Sequence, residues 1–302
     1  MSATMKRFAT TLISLTIALV AQAQAEQTEW LDTLQAAVKT VAIPQSPVIT
    51  YGMVRDEYGS PLSSAAAAVL TLVKDAEPDS RTFSRSTVGE TPILGMNYRL
   101  SLEMDSADGG REYAVVKGTP MRIRCHLDGV EAGLSPSPVF AAPVNGTAQR
   151  KDFSIGEDAD GDGIPDAWEQ WVLAVAGRSA DSDAIAAFRP DADADGDGMT
   201  NYQEFLAGTD PFLATDLLAI TSYVKVDGKS RYEIKFTTVP ERTYRLVVTT
   251  TLDTPVWVPA TTTRAIDGVP AYETYNGTGR IITIYVDVPS DAPAAFFRIA
   301  GN

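Results

Sequence analysis

Asp158, Asp160 and Asp162 place three carboxylates at alternate positions, and thirty-five residues on Asp193, Asp195 and Asp197 do the same. Each run has glycine at its sixth position (Gly163, Gly198) and glutamate at its twelfth (Glu169, Glu204). Like charges crowded twice in one order call for a cation. Ca2+ takes six to eight oxygens at about 2.3–2.6 Å, often as a pentagonal bipyramid. Three alternate carboxylates point into a tight loop, and the glycine supplies the sharp turn that side chains resist. The carbonyls of Ile164 and Met199 then turn inward. Asp166 and Asn201, at position nine, bind directly or through water. Glu169 and Glu204 supply two oxygens each. Without metal these groups repel, so each loop is expected to be loose when empty and ordered when filled.

The spacing D-x-[DN]-x-[DN]-G-x5-E is the EF-hand loop arrangement, matched in full twice. The surroundings are not those of a sensor. "RKDFSIGE" before Asp158 reads as strand and turn, so the first loop has no entering helix. After it, Asp166 to Ala176 reads as a helix stopped by Gly177, with Trp168, Trp171, Val172 and Val175 on one face. The second loop follows a brief helix, "DAIAAF", stopped by Pro190, and leads into "YQEFLA" and Gly208. Trp168, Trp171, Phe188, Tyr202, Phe205 and Leu206 are expected to form a small core between the two units, too small to hold well without its metals. "DGDGIPDAWE" and "DGDGMTNYQEFLAGTDP" resemble the thrombospondin type 3 and dockerin-like repeats of exported bacterial proteins. Pro165 at position eight fits the thrombospondin-like form. Dockerin loops usually carry Asp at position twelve, where Glu169 and Glu204 stand.

The flanks that must position this segment read as β. "VITYGMV", "AAVLTLV", "YRLSLEM", "REYAVV", "MRIRCHL" and "KDFSI" are short strands broken by turn residues, in the manner of a β-sandwich. In "MRIRCHL", Cys125 alternates with the polar positions and faces inward as a small core residue. Val54 on a strand, a turn over Asp56 to Gly59, and Pro61-Leu62 opening the next extended piece resemble the first hairpin of carboxypeptidase-regulatory-like, transthyretin-like sandwiches. Those modules are non-catalytic. Beyond Leu217, Tyr232, Ile234 and Phe236 alternate, Tyr244 to Val248 is a strand, Ile282 to Val288 alternates again, and "AAFFRIA" closes. This order is similar to a C-terminal β-sandwich module of exported bacterial multidomain proteins. Trp257 and Tyr275 are read as core or cross-strand residues rather than sugar platforms.

The expected fold is therefore mainly β: two antiparallel sandwiches joined by a small helical module carrying two Ca2+. The expected divisions are a signal peptide at 1–25, a short helix and linker at 26–46, a sandwich at 47–155, the calcium module at 156–216 and a sandwich at 217–302. Lys6 and Arg7, the apolar run Phe8 to Val20, and Ala23-Gln24-Ala25 form a secretory signal pattern, so export to the cell surface, medium or periplasm is expected. No later run is long and apolar enough to span a membrane.

With 39 acidic against 25 basic residues, the chain is a poor partner for nucleic acid. Between residues 156 and 216, fifteen acidic residues face only Arg178 and Arg189, so the charge has a local cause. His126 is the one histidine and sits on the strand face opposite Cys125. Neither a triad nor a zinc motif can be drawn, and no enzyme is expected. The expected role is an exported structural or adhesion-type protein with a protein or glycan partner. A dockerin-like docking module, or a carbohydrate-binding accessory subunit, are the alternatives.

Overall fold

The computed structural model describes residues 45–77, 81–89, 95–105, 114–272, 274–288 and 294–301. The signal segment, the helix expected before residue 46 and the front of "REYAVV" lie outside the described residues. The architecture is mainly β, with antiparallel sheets on either side of a small helical part.

In the first β region the strand Val48–Gly52 buries every second residue. It pairs antiparallel with Tyr98–Leu102 and parallel with Ala148–Arg150. Facing it, a five-stranded sheet is built on Ala68–Lys74 and Pro120–Leu127, in a register that sets Leu70 opposite Cys125 and Leu72 opposite Ile123. Leu70, Leu72, Leu100, Ile123 and Phe153 fill the space between. Cys125 is buried there, and burial pushes its thiol up to about 11, so it packs as a small apolar residue. The expected turn follows Arg55: Asp56 Oδ1 accepts the Tyr58 and Ser60 N–H groups at 3.0 and 2.8 Å. The small residues before Val69 include a 3-10 turn over Ser64–Ala66. A third, short sheet sets Phe153–Ile155 between Val54–Arg55 and Leu134–Ser135, and it delivers the chain to Asp158.

The second β region packs Arg231–Phe236 and Ile282–Asp287 of one sheet against Thr243–Thr249 and Phe296–Gly301 of the other. Ile234, Phe236, Leu246, Ile284 and Ile299 form its core. Tyr275 is buried, as expected, and Trp257 lies 5.2 Å from the Arg298 guanidinium.

Between them stand three helices: α1 (Asp166–Val175), α2 (Ser182–Ala187) and α3 (Asn201–Ala207). Their core is Ile164, Trp168, Val172, Leu173, Ile185, Phe188 and Phe205, with Tyr202 and Leu206 at its margin. Trp168 meets the Phe205 ring edge-on at 5.2 Å. One expectation is corrected. Trp171 is 54% exposed and Val175 63%, and Leu173 and Glu169 are buried in their place. The helix is rolled about its axis so that the Glu169 side chain, not Trp171, points inward.

The end of α3 is the point where all three parts touch. Tyr244 Oη of the second β region donates to Ala207 O at 2.8 Å. Gly301 of the last strand lies so close to Leu206 and Ala207 that a Cβ there would sit 2.6 Å from the Leu206 carbonyl carbon. Arg242 Nη1 donates to Ser60 Oγ at 2.7 Å and Nη2 donates to Tyr58 O, which ties the second β region to the first.

Candidate metal centre

The two loops fold by the same local rule. Within each triad, a carboxylate oxygen from all three aspartates lies within 4.8 Å of the others. Backbone N–H groups hold them there. Gly161 N donates to Asp158 Oδ1 at 2.8 Å, Gly163 N to Asp158 Oδ2 at 3.0 Å, and Ile164 N to Asp162 Oδ1 at 2.9 Å. In the second loop Gly196 N and Gly198 N reach Asp193 at 2.7 and 2.9 Å, and Met199 N reaches Asp197 at 2.6 Å. Gly163 and Gly198 have φ of 100° and 98°, a turn that only glycine takes without strain.

Short helices then place the twelfth residue. Pro165 is the extended N-cap residue of α1, and Asp166 and Glu169 stand in the helix's first turn, where acidic side chains suit the N-terminus. Thr200 and Gln203 form a capping box at α3. Both helices carry their glutamates into the protein. Glu169 and Glu204 are 0% exposed, and none of their four carboxylate oxygens has a hydrogen-bond partner. Asn201 Oδ1, Asp195 Oδ2 and Asp197 Oδ2 are likewise buried without partners.

Burial, reinforced by Asp162, Asp160, Asp166 and Asp158, pushes the Glu169 carboxyl up to about 9. Burial, reinforced by Asp195 and Asp197, pushes Glu204 up to about 8. Burial also drives Asp162 up to about 6. An unpaired buried carboxylate is among the costliest groups a protein can carry, and these two sit beside further carboxylates. Orphaned oxygens next to gathered carboxylates fit a hard divalent cation. They fit a soft one poorly, since no Cys or His stands nearby.

Asp158, Asp160 and Asp162 are thus gathered in one place and Asp193, Asp195 and Asp197 in another, each triad acting electrostatically on its own glutamate, Glu169 or Glu204. Asp166 also serves the loop itself: its Oδ1 accepts the Ala159 N–H at 2.9 Å. Asn201 Nδ2 donates to Arg189 O at 2.8 Å, which closes the second loop onto its entry. Sequence spacing gave no sign of Ser135, whose hydroxyl donates to Asp158 Oδ2 from the first β region.

A loop-and-helix unit of this make is a calcium-loop module. Its second half, residues 193–214, matches the family model of the bacterial TSP3 repeat, a calcium-binding type. No curated protein and no solved structure matches the chain. Among the described residues no helix is long and apolar enough to cross a membrane.

Proposed function

We propose that the protein is an exported, non-catalytic structural protein in which two Ca2+ ions order the joint between two β-sandwiches. The divisions at 47–155, 156–216 and 217–302 are part of this reading. Asp158, Asp160, Asp162, Asp166, Glu169 and the Ile164 carbonyl would hold one ion. Asp193, Asp195, Asp197, Asn201, Glu204 and the Met199 carbonyl would hold the other. The carrying observation is the pair of fully buried, partnerless carboxylates at Glu169 and Glu204. A bound cation supplies the charge they lack, and binding energy then becomes folding energy.

The position of α3 favours a structural role. Its first turn carries Asn201 and Glu204, and its last residues are gripped by Tyr244 and Gly301. Ordering the second loop therefore orders the surface on which the second sandwich rests. Two features support the absence of catalysis. Cys125 is buried, and His126 stands opposite Glu131 on a neighbouring strand, facing away from it. The signal pattern supports export, and the adhesion-type role would be served by a rigid spacing of two sandwiches at a cell surface.

Calcium titration calorimetry tests this on the chain and on its Glu169→Gln/Glu204→Gln variant. Two sites are expected, with Kd of about 10⁻³ to 10⁻⁵ M, between extracellular modules and sensors. Their loss in the variant is expected. Absence of binding to the parent chain would remove the reading.

A further inference from the structure

The two loops share a sequence pattern, but their first aspartates are held differently. Asp193 accepts only the Gly196 and Gly198 N–H groups, and among the described residues no side chain from either sandwich donates to it. Asp158 accepts the corresponding Gly161 and Gly163 N–H groups, the Asp162 N–H at 3.1 Å, and the hydroxyl of Ser135.

Ser135 is 3% exposed and lies twenty-three residues before Asp158, on the short strand Leu134–Ser135. That strand pairs with Phe153–Ile155, which sets Ser135 opposite Ser154 and Leu134 opposite Ile155. One residue further, Gly156 N donates to Gly133 O at 3.3 Å. The entry of the first loop is therefore a sheet strand of the first sandwich, and its neighbouring strand supplies the hydroxyl. In a helix-loop-helix site the entering helix does this work.

We propose that Ser135 is a positioning residue for the first calcium loop. Together with the Gly163 N–H it fixes the rotation of the Asp158 carboxylate, and so makes the first loop the tighter of the two sites. The inference rests on the calcium reading above. Its physical content is pre-organisation. A carboxylate already held by a rigid strand loses less freedom when the ion arrives, and a hydrogen bond to a charged group is among the stronger kinds. The second loop has only its own backbone, the Gly196 and Gly198 N–H groups, to orient Asp193.

The test is calorimetry on the full chain with one loop silenced at a time. In a Glu204→Gln background, Ser135→Ala is expected to weaken calcium binding by about ten-fold, a tenfold change being about 1.4 kcal/mol. Ser135→Thr, which keeps the hydroxyl, is expected to restore most of the affinity. In a Glu169→Gln background, where only the second loop binds, Ser135→Ala is expected to leave the affinity unchanged. The parent single-loop variants are expected to rank the first loop tighter.

First-loop affinity unchanged by Ser135→Ala would overturn the proposal. Equal losses at both loops would also overturn it, since a general weakening of the sandwich acts that way. If Ser135→Ala does not fold, Ser135→Cys, a weaker donor of similar size, must show the loop-one loss for the proposal to stand. If the parent chain binds no calcium, the calcium reading itself fails, an outcome distinct from all of these.

Discussion

The two acidic loops are near copies in sequence and opposites in attachment. The first is fixed at its front. It enters from a strand of the first sandwich, and its opening aspartate is held by Ser135. Its exit helix α1 runs on to Val175 with an exposed outer face. The second is fixed at its back. It enters from the six-residue helix α2, its Asp193 is exposed, and its exit helix α3 is clasped by Tyr244 and Gly301. One chemical pattern is thus used for two mechanical purposes. The front of the first loop is built on one β region, while the exit helix of the second meets Tyr244 and Gly301 of the other and also packs Phe205 against Gly59 of the first.

Calcium removal is the largest perturbation of this arrangement. A site at about a thousand times its Kd adds about 4 kcal/mol of stability, and chelation withdraws it from both loops at once. Between residues 156 and 216 trypsin can cut only at Arg178, because Pro190 protects the bond after Arg189. Chelation is expected to accelerate cleavage there strongly, with the two sandwiches surviving as fragments. Equal proteolysis with and without calcium would show that the loops do not order the module.

Next in size are losses from the shared core. Phe205 is buried against Trp168 and belongs to the second loop's exit helix. Phe205→Ala is expected to cost about 3–5 kcal/mol. It should weaken the second calcium site more than the first, because α3 carries Asn201 and Glu204. Thermal denaturation and single-loop titrations measure the two effects, and equal weakening of both sites would blur the distinction drawn above.

A smaller effect separates the back attachment from the metal. Gly301→Ala puts a methyl group against the backbone of Leu206 and Ala207, which must shift to admit it. Overpacking of this kind costs about 1–3 kcal/mol. It should loosen the second loop's calcium affinity and spare the first. Tyr244→Phe removes the bond to Ala207 O and the one the hydroxyl accepts from Val239 N–H; it should act in the same sense, at about 1 kcal/mol for each bond lost.

The pH dependence of the metal-free chain reports on what the two loops share, their buried glutamates. Glu169 and Glu204 are raised from 4.5 to about 9 and about 8 by burial and neighbouring carboxylates. The folded state therefore holds protons that the unfolded state releases. Stability from this source is present below about 4.5 and is lost as pH rises through 8 and 9. In the presence of a chelator, the melting temperature is expected to fall between pH 5 and pH 9. Calcium should flatten that fall by replacing the protons. Glu169→Gln and Glu204→Gln should each remove part of the slope, and calorimetric scans at several pH values read it.

How much of this was legible beforehand depended on the range of each interaction. Loop residues are dictated by one ion, so their spacing is written within twelve positions. Strands such as Ala68–Lys74 and Ile282–Asp287 announce themselves because one face is buried and side chains alternate. Ser84–Thr87 and Ala148–Arg150 have no large apolar residue to alternate, and only their neighbours make them strands. Ser135, Arg242 and Gly301 act on residues far away in the chain, and no local pattern marks a serine, an arginine or a glycine for such work.

Trp171 is the instructive failure of the local pattern, and it yields the smallest effect. At 100° per residue, Trp168, Trp171, Val172 and Val175 fall within an arc of about 100°, an ordinary apolar stripe. The buried residues are instead Trp168, Glu169, Val172 and Leu173, an arc turned by about 80°. The turn follows from Glu169. A twelfth-position carboxylate must face its loop, and bringing it inward draws Leu173 after it and swings Trp171 and Val175 to the outside. The roll of α1 is the one that buries Glu169, not the one that buries the whole apolar stripe. Trp171→Gln is therefore expected to change stability by no more than about 0.5 kcal/mol, as at a surface position. It should leave both calcium affinities unmoved. A loss of several kcal/mol would restore Trp171 to the core and overturn the account of how Glu169 is aimed.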